Sequence, residues 1–188
     1  MSRRRPSHIP LRRPIYIGCE GASEAGYAAY LQDLAHHAGL PVHLLIQELG
    51  PGAGDPLARI ELALVRLKLL KKKGQAPEQR FALLDHDQVG RTPPRDERAR
   101  QLAADNGIHI LWQDPCFEAV LLRHLPGRTG HRPPSTPAAQ TAIQRDWPGY
   151  SKPMLRADLA RRIDQDAVLR AAGVEPGLEA LLRCIGLL

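Results

Sequence analysis

Acidic side chains follow three short apolar segments of this chain, two after each segment. The six carboxylates are Glu20 and Glu24, Asp85 and Asp87, and Asp114 and Glu118. Oxygen ligands suit Mg²⁺ or Mn²⁺ rather than zinc, and two such ions about 4 Å apart are a common arrangement for displacement at phosphorus. The six residues therefore predict a site for two divalent cations that acts on a phosphodiester.

The spacing of the first two pairs has a geometric meaning. Asp85 and Asp87 are two residues apart, so in an extended chain their side chains point the same way. Glu20 and Glu24 belong to a predicted strand-to-helix turn, in which Gly21 lets the backbone approach a ligand closely. Both pairs are thus expected to face one ligand.

The third pair is expected on a helix at residues 116–125, with Asp114 and Glu118 on one face because they are four residues apart. Asp114 has two interpretations, a metal ligand or an ordinary helix N-cap. Glu118 has apolar neighbours, and no Lys or Arg lies three or four residues away. Since a buried carboxylate is costly unless something neutralises it, Glu118 favours a bound metal.

Strand and helix patterns alternate over the first 125 residues. Strands are predicted at residues 14–19, 42–46, 81–84 and 108–112. Helices are predicted from Ser23 as N-cap and at residues 57–73, 94–106, 116–125, 138–145, 154–172 (with a break near Asp164) and 176–187. This alternation predicts an α/β fold with a parallel sheet covered on both faces, and sites in such sheets form outside the carboxyl ends of the strands.

The chain is predicted to divide into four parts. Residues 1–13 form a flexible basic arm, 14–125 the catalytic domain, 126–137 a loop rich in Pro, Gly, Ser and Thr, and 138–188 a C-terminal helical appendage. Five arginines of the arm account for most of the net charge of +6, so the body is nearly neutral. Such an arm strengthens nucleic-acid binding without sequence preference.

The composition of the chain argues against several classes of protein. No apolar run approaches the roughly 20 residues of a membrane helix, and the basic N-terminus lacks the apolar stretch of a secretory signal. The cysteines, Cys19, Cys116 and Cys184, are too widely spaced to suggest a disulfide framework or a zinc site. Aromatic residues make up only 4%, against a base-stacking platform. We expect a cytoplasmic protein.

Several segments resemble known motifs. Residues 15–24, IYIGCEGASE, resemble the opening motif of TOPRIM domains, and residues 81–87, FALLDHD, resemble their DxD motif. Residues 114–118, DPCFE, resemble the NPCFE segment of the RloB-like family, with aspartate at the usual asparagine position. Residues 54–56, Tyr150 and Lys152 also match that family in order and spacing.

The resemblance implies a TOPRIM-like nuclease found in phage-defence and abortive-infection loci, often beside an ATPase subunit. By similarity to overcoming-lysogenization-defect nucleases, Glu20, Glu24, Asp85 and Asp87 would hold one metal, Glu118 would help to hold the second, and Lys152 would stabilise charge on the phosphate. The chain has no GxxxxGK[ST] motif, so ATP hydrolysis would come from the partner.

Two alternatives stay open. The same fold also suits a non-catalytic subunit that docks a partner ATPase and senses nucleic acid, which the low aromatic content and the nearly neutral body favour. A housekeeping TOPRIM ribonuclease or primase-like enzyme is a third hypothesis, against which the DPCFE segment argues. Lysines like Lys152, in a loop before a proline, are usually surface residues, and only the family resemblance gives this one a role.

Overall fold

The structure, a computed structural model, describes residues 12–50 and 54–188, which form four strands and eight helices. The strands are β1 (Arg13–Cys19), β2 (Val42–Glu48), β3 (Gln79–Asp85) and β4 (Ile108–Gln113). The helices are α1 (Ala22–His37), α2 (Pro56–Lys72), α3 (Pro93–Asp105), α4 (Phe117–His124), α5 (Thr136–Asp146), α6 (Arg156–Ala160), α7 (Gln165–Ala172) and α8 (Pro176–Ile185).

All strand pairs are parallel, in the order β2-β1-β3-β4, which confirms the predicted α/β class with a four-stranded parallel sheet. From β1 the chain moves outward to β2, then returns past β1 to β3 and continues to β4. The connections after β1 and β3 therefore leave in opposite directions. In open parallel sheets, the crevice at the carboxyl ends of two such neighbours is the usual binding site.

Alternate side chains of the strands separate two cores. Ile15 and Ile17 of β1 pack into a core on one face, together with α1 and α4. Tyr16 points to the other face, where α2 and α3 cover the sheet. The helices on both faces bury the apolar central residues of the strands, as is typical of a parallel sheet.

The C-terminal helices α5 to α8 belong to the first of these cores. Ile143, Leu159, Val168 and Leu182 are buried in the same cluster as Ile15 of β1. Burial of this apolar area is the main force that holds the C-terminal helices against the sheet. The predicted helical appendage is thus present, but it shares one core with the sheet.

Two predicted helix caps are wrong. The N-cap residue of α1 is Gly21, whereas the Ser23 hydroxyl accepts a hydrogen bond from the Met154 N–H at 3.1 Å. Helix α4 begins at Phe117 with Cys116 as its N-cap residue, so Asp114 lies outside the helix and does not share a face with Glu118. The Ser23 hydroxyl thus bonds a segment distant in sequence, and at the start of α1 it is Glu24 that accepts from the backbone N–H of the N-cap residue.

Other element ends differ less from the prediction. The break predicted near Asp164 is confirmed, because its side chain accepts from the Ala167 N–H at 2.8 Å and caps α7. Strand β1 begins at Arg13, which shortens the predicted arm by one residue, and residues 1–11 lie outside the described part of the chain. Within the described ranges, no helix has the length and apolar character needed to cross a membrane.

The contact between α1 and the segment before α6 yields a stability prediction. A Cβ at Gly26 of α1 would lie 2.1 Å from the Met154 carbonyl oxygen. In an unpacked helix Gly→Ala adds about 1 kcal/mol of stability. Here we expect Gly26→Ala to lower the free energy of unfolding by about 1–3 kcal/mol, because the backbone at Met154 must move. Urea denaturation measures the difference.

Gly173→Ala is the matched control. Gly173 has an ordinary φ of −61°, and a Cβ there would meet its nearest atom, the Arg170 carbonyl oxygen, at 3.4 Å. This variant should be as stable as the wild type. Equal stability of Gly26→Ala and the wild type would contradict the close approach of the two segments.

Candidate functional site

Two carboxylate–backbone hydrogen bonds join the ends of β1 and β3 and the start of α4. Glu20, directly after β1, accepts from the Asp85 N–H at 2.9 Å through Oε2. Asp85, the last residue of β3, accepts from the Phe117 N–H at 2.8 Å through Oδ1. Phe117 is the first residue of α4, so the Asp85 carboxylate satisfies a donor of that helix which would otherwise be unpaired. The parallel sheet brings these groups together.

Glu24 joins the same region from the first turn of α1. Its Oε2 accepts from the Gly21 N–H at 3.2 Å, and this hydrogen bond turns the carboxylate back toward the end of β1. Glu20, Glu24, Asp85 and Lys152 line one open cleft at the carboxyl ends of β1 and β3. The structure thus places three of the six predicted ligands, and the predicted lysine, in the crevice that the topology creates.

Crowding of these carboxylates disfavours their joint ionisation. Burial raises the pKa of Asp85 to about 8, and the negative charges of Glu24, Glu20 and Asp87 add to the effect. Burial likewise raises the pKa of Glu20 and of Glu24. A nearby positive charge would relieve this repulsion.

Lys152 supplies one such charge from the loop after α5. Its Nζ lies 2.5 Å from Oε1 of Glu118, a fully buried carboxylate, while about half of the lysine side chain is exposed. Burial lowers the pKa of Lys152, but the negative charges of Glu118, Glu24 and Asp85 outweigh it, so the pKa is raised and the ammonium is retained. Glu118 is therefore neutralised by a residue 34 positions away.

The three remaining predicted ligands, Glu118, Asp87 and Asp114, lie apart from the cleft lining. Asp87 accepts hydrogen bonds from the Thr136 hydroxyl at 2.9 Å and from Gln88 Nε2 at 3.1 Å. The Asp114 side chain is 73% exposed, and its Oδ1 lies 3.8 Å from Nδ1 of His86. Asp87 still adds to the field at Asp85, whereas Asp114 does not line the cleft.

Sequence reasoning missed a buried arginine at this site. Arg59 of α2 has a side chain that is only 7% exposed, and its Nη2 lies 3.6 Å from Oε1 of Glu20. Arg59 and Glu20 line a narrow crevice with Asp85 and Gln88. The position of Arg59 on the apolar face of α2, in line with Ile60 and Ala63, was the available signal, because an arginine that is buried needs an anionic or carbonyl partner.

Two further residues, Thr136 and Tyr150, interact with the predicted acidic ligands. Thr136 belongs to the first turn of α5 and contacts Asp87, a link that its sequence position does not indicate. Burial, and then the charge of Glu118, raise the pKa of Tyr150, so this phenol stays protonated. Burial also raises the pKa of the Cys116 thiol to about 12, which excludes a thiolate nucleophile at neutral pH.

The donor set fits a hard divalent cation in chemistry, because Glu20, Glu24 and Asp85 offer only oxygen and their mutual repulsion favours a positive charge. Their present arrangement is not that of a formed metal site. Among the residues with described coordinates, no group of three or more His, Cys, Asp or Glu side chains is arranged to hold a metal ion. Binding would require side chains of the cleft to rotate toward a common point.

Comparison with protein-family models, with curated proteins and with solved structures finds no match to this chain. The resemblance to the RloB-like family therefore stays a prediction from the quoted motifs. Fold and site together define an α/β protein with a doubly covered parallel sheet and an acidic cleft at its strand ends.

The raised pKa of Asp85 predicts a pH-dependent stability. Its folded pKa of about 8 exceeds the unfolded value near 4, so unfolding releases a proton between these limits and stability falls as pH rises. Without divalent cations, we expect the wild type to lose roughly 1–3 kcal/mol between pH 5 and pH 8. Asp85→Asn should lose clearly less stability over this pH range. Its amide oxygen can still accept from the Phe117 N–H, but the side chain does not titrate.

Urea denaturation at several pH values, with a chelator present, measures this slope. Glu97→Gln is a suitable control, since Glu97 is exposed on α3 and pairs with the exposed Arg100 across 3.7 Å. The control should keep the wild-type slope. An Asp85→Asn variant with that same slope would show that Asp85 is ionised in the folded protein at neutral pH.

Proposed function

We propose that this chain is a metal-dependent nuclease that hydrolyses phosphodiester bonds of DNA or RNA with Mg²⁺ or Mn²⁺. The observation that carries the proposal is one cleft, lined by Glu20, Glu24 and Asp85 together with Lys152, at the carboxyl ends of β1 and β3. Carboxylates crowded at this point repel one another, and divalent cations are the counter-charge that oxygen donors select.

The proposed roles follow from position. Glu20, Glu24 and Asp85 would hold one cation, with Asp87 adding negative charge nearby. The motif resemblance, and not its position, gives the buried Glu118 a part in holding a second cation. A divalent cation held by these carboxylates would supply positive charge to a phosphate oxygen and would lower the pKa of a bound water. Lys152 reaches the cleft with its ammonium and would stabilise negative charge that develops on the phosphate.

The biological setting of the proposal comes from the motif resemblance alone. RloB-like proteins occur in phage-defence loci, and we propose that this chain acts in such a system in the cytoplasm beside an ATPase subunit. In that setting the partner would supply both ATP hydrolysis and part of the nucleic-acid surface.

A non-catalytic binding subunit is the second candidate. A specific observation favours it: Glu20 and Glu118 already have cationic partners in Arg59 and Lys152, and in the described residues no formed metal group accompanies them. Under this alternative, the ion pairs are purely structural and the chain binds nucleic acid or a partner ATPase without cleaving anything.

Nuclease assays on the purified chain test the proposal, with single- and double-stranded DNA and with RNA including tRNA, in Mg²⁺ or Mn²⁺. Glu20→Gln and Asp85→Asn should each lower the cleavage rate by at least about 100-fold, since each removes a carboxylate from the cation site. The same assays are repeated with a partner ATPase from a neighbouring gene.

Asp114→Asn is the matched control, because Asp114 follows a strand like the others but its side chain faces solvent. This variant should cleave at the wild-type rate. Cleavage that survives both Glu20→Gln and Asp85→Asn would refute the assigned site. A wild type that binds no Mn²⁺ and cleaves nothing, with or without the ATPase, would favour the binding subunit.

A further inference from the structure

Arg59 connects the end of β2 with the acidic cleft. Its Nη1 donates to the carbonyl oxygens of Leu49 and Gly50, at 2.7 and 2.9 Å. Both carbonyls lie directly beyond β2, the neighbour of β1 in the sheet. A guanidinium bound to two backbone oxygens through one nitrogen has little freedom to turn, so its other nitrogen has a fixed direction.

That other nitrogen, Nη2, lies 3.6 Å from Oε1 of Glu20. Oε2 of the same carboxylate accepts from the Asp85 N–H at 2.9 Å, so the two oxygens of Glu20 have different partners. Contacts on both oxygens fix the plane of the carboxylate. Gly54 leaves room for the guanidinium, because a Cβ at that position would lie 3.3 Å from Arg59 Nε.

The crevice at Arg59 leaves the arginine no direct access to a bound phosphate. Its lining comprises Glu20, Gly54, Arg59, Asp85 and Gln88, with Pro56 and Leu84, and the Arg59 side chain is 7% exposed. Arg59 reaches the carboxylates of the cleft through its contact with Glu20. This separates Arg59 from Lys152, which lines the open cleft itself.

We propose that Arg59 is a positioning residue that holds the Glu20 carboxylate in the orientation needed to bind a divalent cation, and that it ties this carboxylate to the end of β2. The role in cation binding rests on the proposed function, whereas the coupling of Arg59 to Glu20 does not. Only arginine suits the role, because its planar fork serves the backbone carbonyls and the carboxylate from separate nitrogens, and a lysine ammonium is a single point of charge.

A double-mutant cycle on folding stability tests the coupling without any metal. Arg59→Met, Glu20→Gln and the double variant are unfolded in urea with a chelator present. We expect the double variant to differ from the sum of the single effects by at least about threefold in the unfolding equilibrium constant, as for residues in contact. Additive effects would overturn the proposal. Arg59→Lys replaces Arg59→Met in the cycle if the methionine variant does not fold.

Mn²⁺ titration of the full chain by calorimetry tests the positioning role. Arg59→Lys retains the positive charge but should bind Mn²⁺ about tenfold more weakly than the wild type, as expected when the group that orients a ligand is changed. Arg66→Met is the control, since Arg66 lies two turns further along the same face of α2 and does not line the crevice. Its Mn²⁺ affinity should equal that of the wild type.

The two measurements separate the two claims. Wild-type Mn²⁺ affinity in Arg59→Lys overturns the positioning role. If the wild type itself binds no Mn²⁺, the nuclease proposal fails and the positioning role toward a cation fails with it, while the coupling measured in the cycle still decides whether Arg59 holds Glu20.

Discussion

The arrangement at the strand ends depends on two backbone N–H groups, those of Asp85 and Phe117, which hold the carboxylates of Glu20 and Asp85. Each of these hydrogen bonds spans two elements of the fold. The first joins β1 to β3, and the second joins β3 to α4. Because the sheet fixes the distance between its strand ends, the carboxylates cannot separate to relieve their repulsion.

The chain balances that repulsion with its own cations on two sides. Arg59 approaches Glu20 from α2, on one face of the sheet, and Lys152 approaches Glu118 from the loop after α5, on the other. Arg59 is fixed by backbone carbonyls, whereas Lys152 is half exposed and contacts the open cleft. This asymmetry suits a site in which one cation is structural and the other can change partners when a ligand arrives.

The sequence predicted the fold class and the meeting of three acids because both follow from simple patterns. Each strand is a short apolar run, and strands that alternate with helices must pair in parallel, so acids after different strands meet at one edge. Glu20, Glu24 and Asp85 accordingly line one cleft. The same argument placed Asp114 there, but it lies two residues before the α4 N-cap residue, with its side chain in solvent.

The partners of these acids were beyond the sequence patterns, since they depend on packing between distant segments. Glu118 was expected to need a metal because its helix neighbours offer no cation, yet Lys152 supplies one across 34 residues. The α4 N-terminus takes the Asp85 carboxylate in place of a local cap, and Ser23 accepts from Met154 instead of capping α1. Local rules for caps and ion pairs do not include such contacts.

Anomalous diffraction at the manganese edge, from crystals grown with Mn²⁺, tests the central claim most directly. The account predicts a peak in the cleft within coordination distance, about 2.2 Å, of oxygens of Glu20 and Asp85, and no such peak in Asp85→Asn crystals. Well-ordered cleft side chains with no manganese peak in the wild type, or manganese bound only elsewhere, would contradict the claim that these carboxylates bind divalent cations.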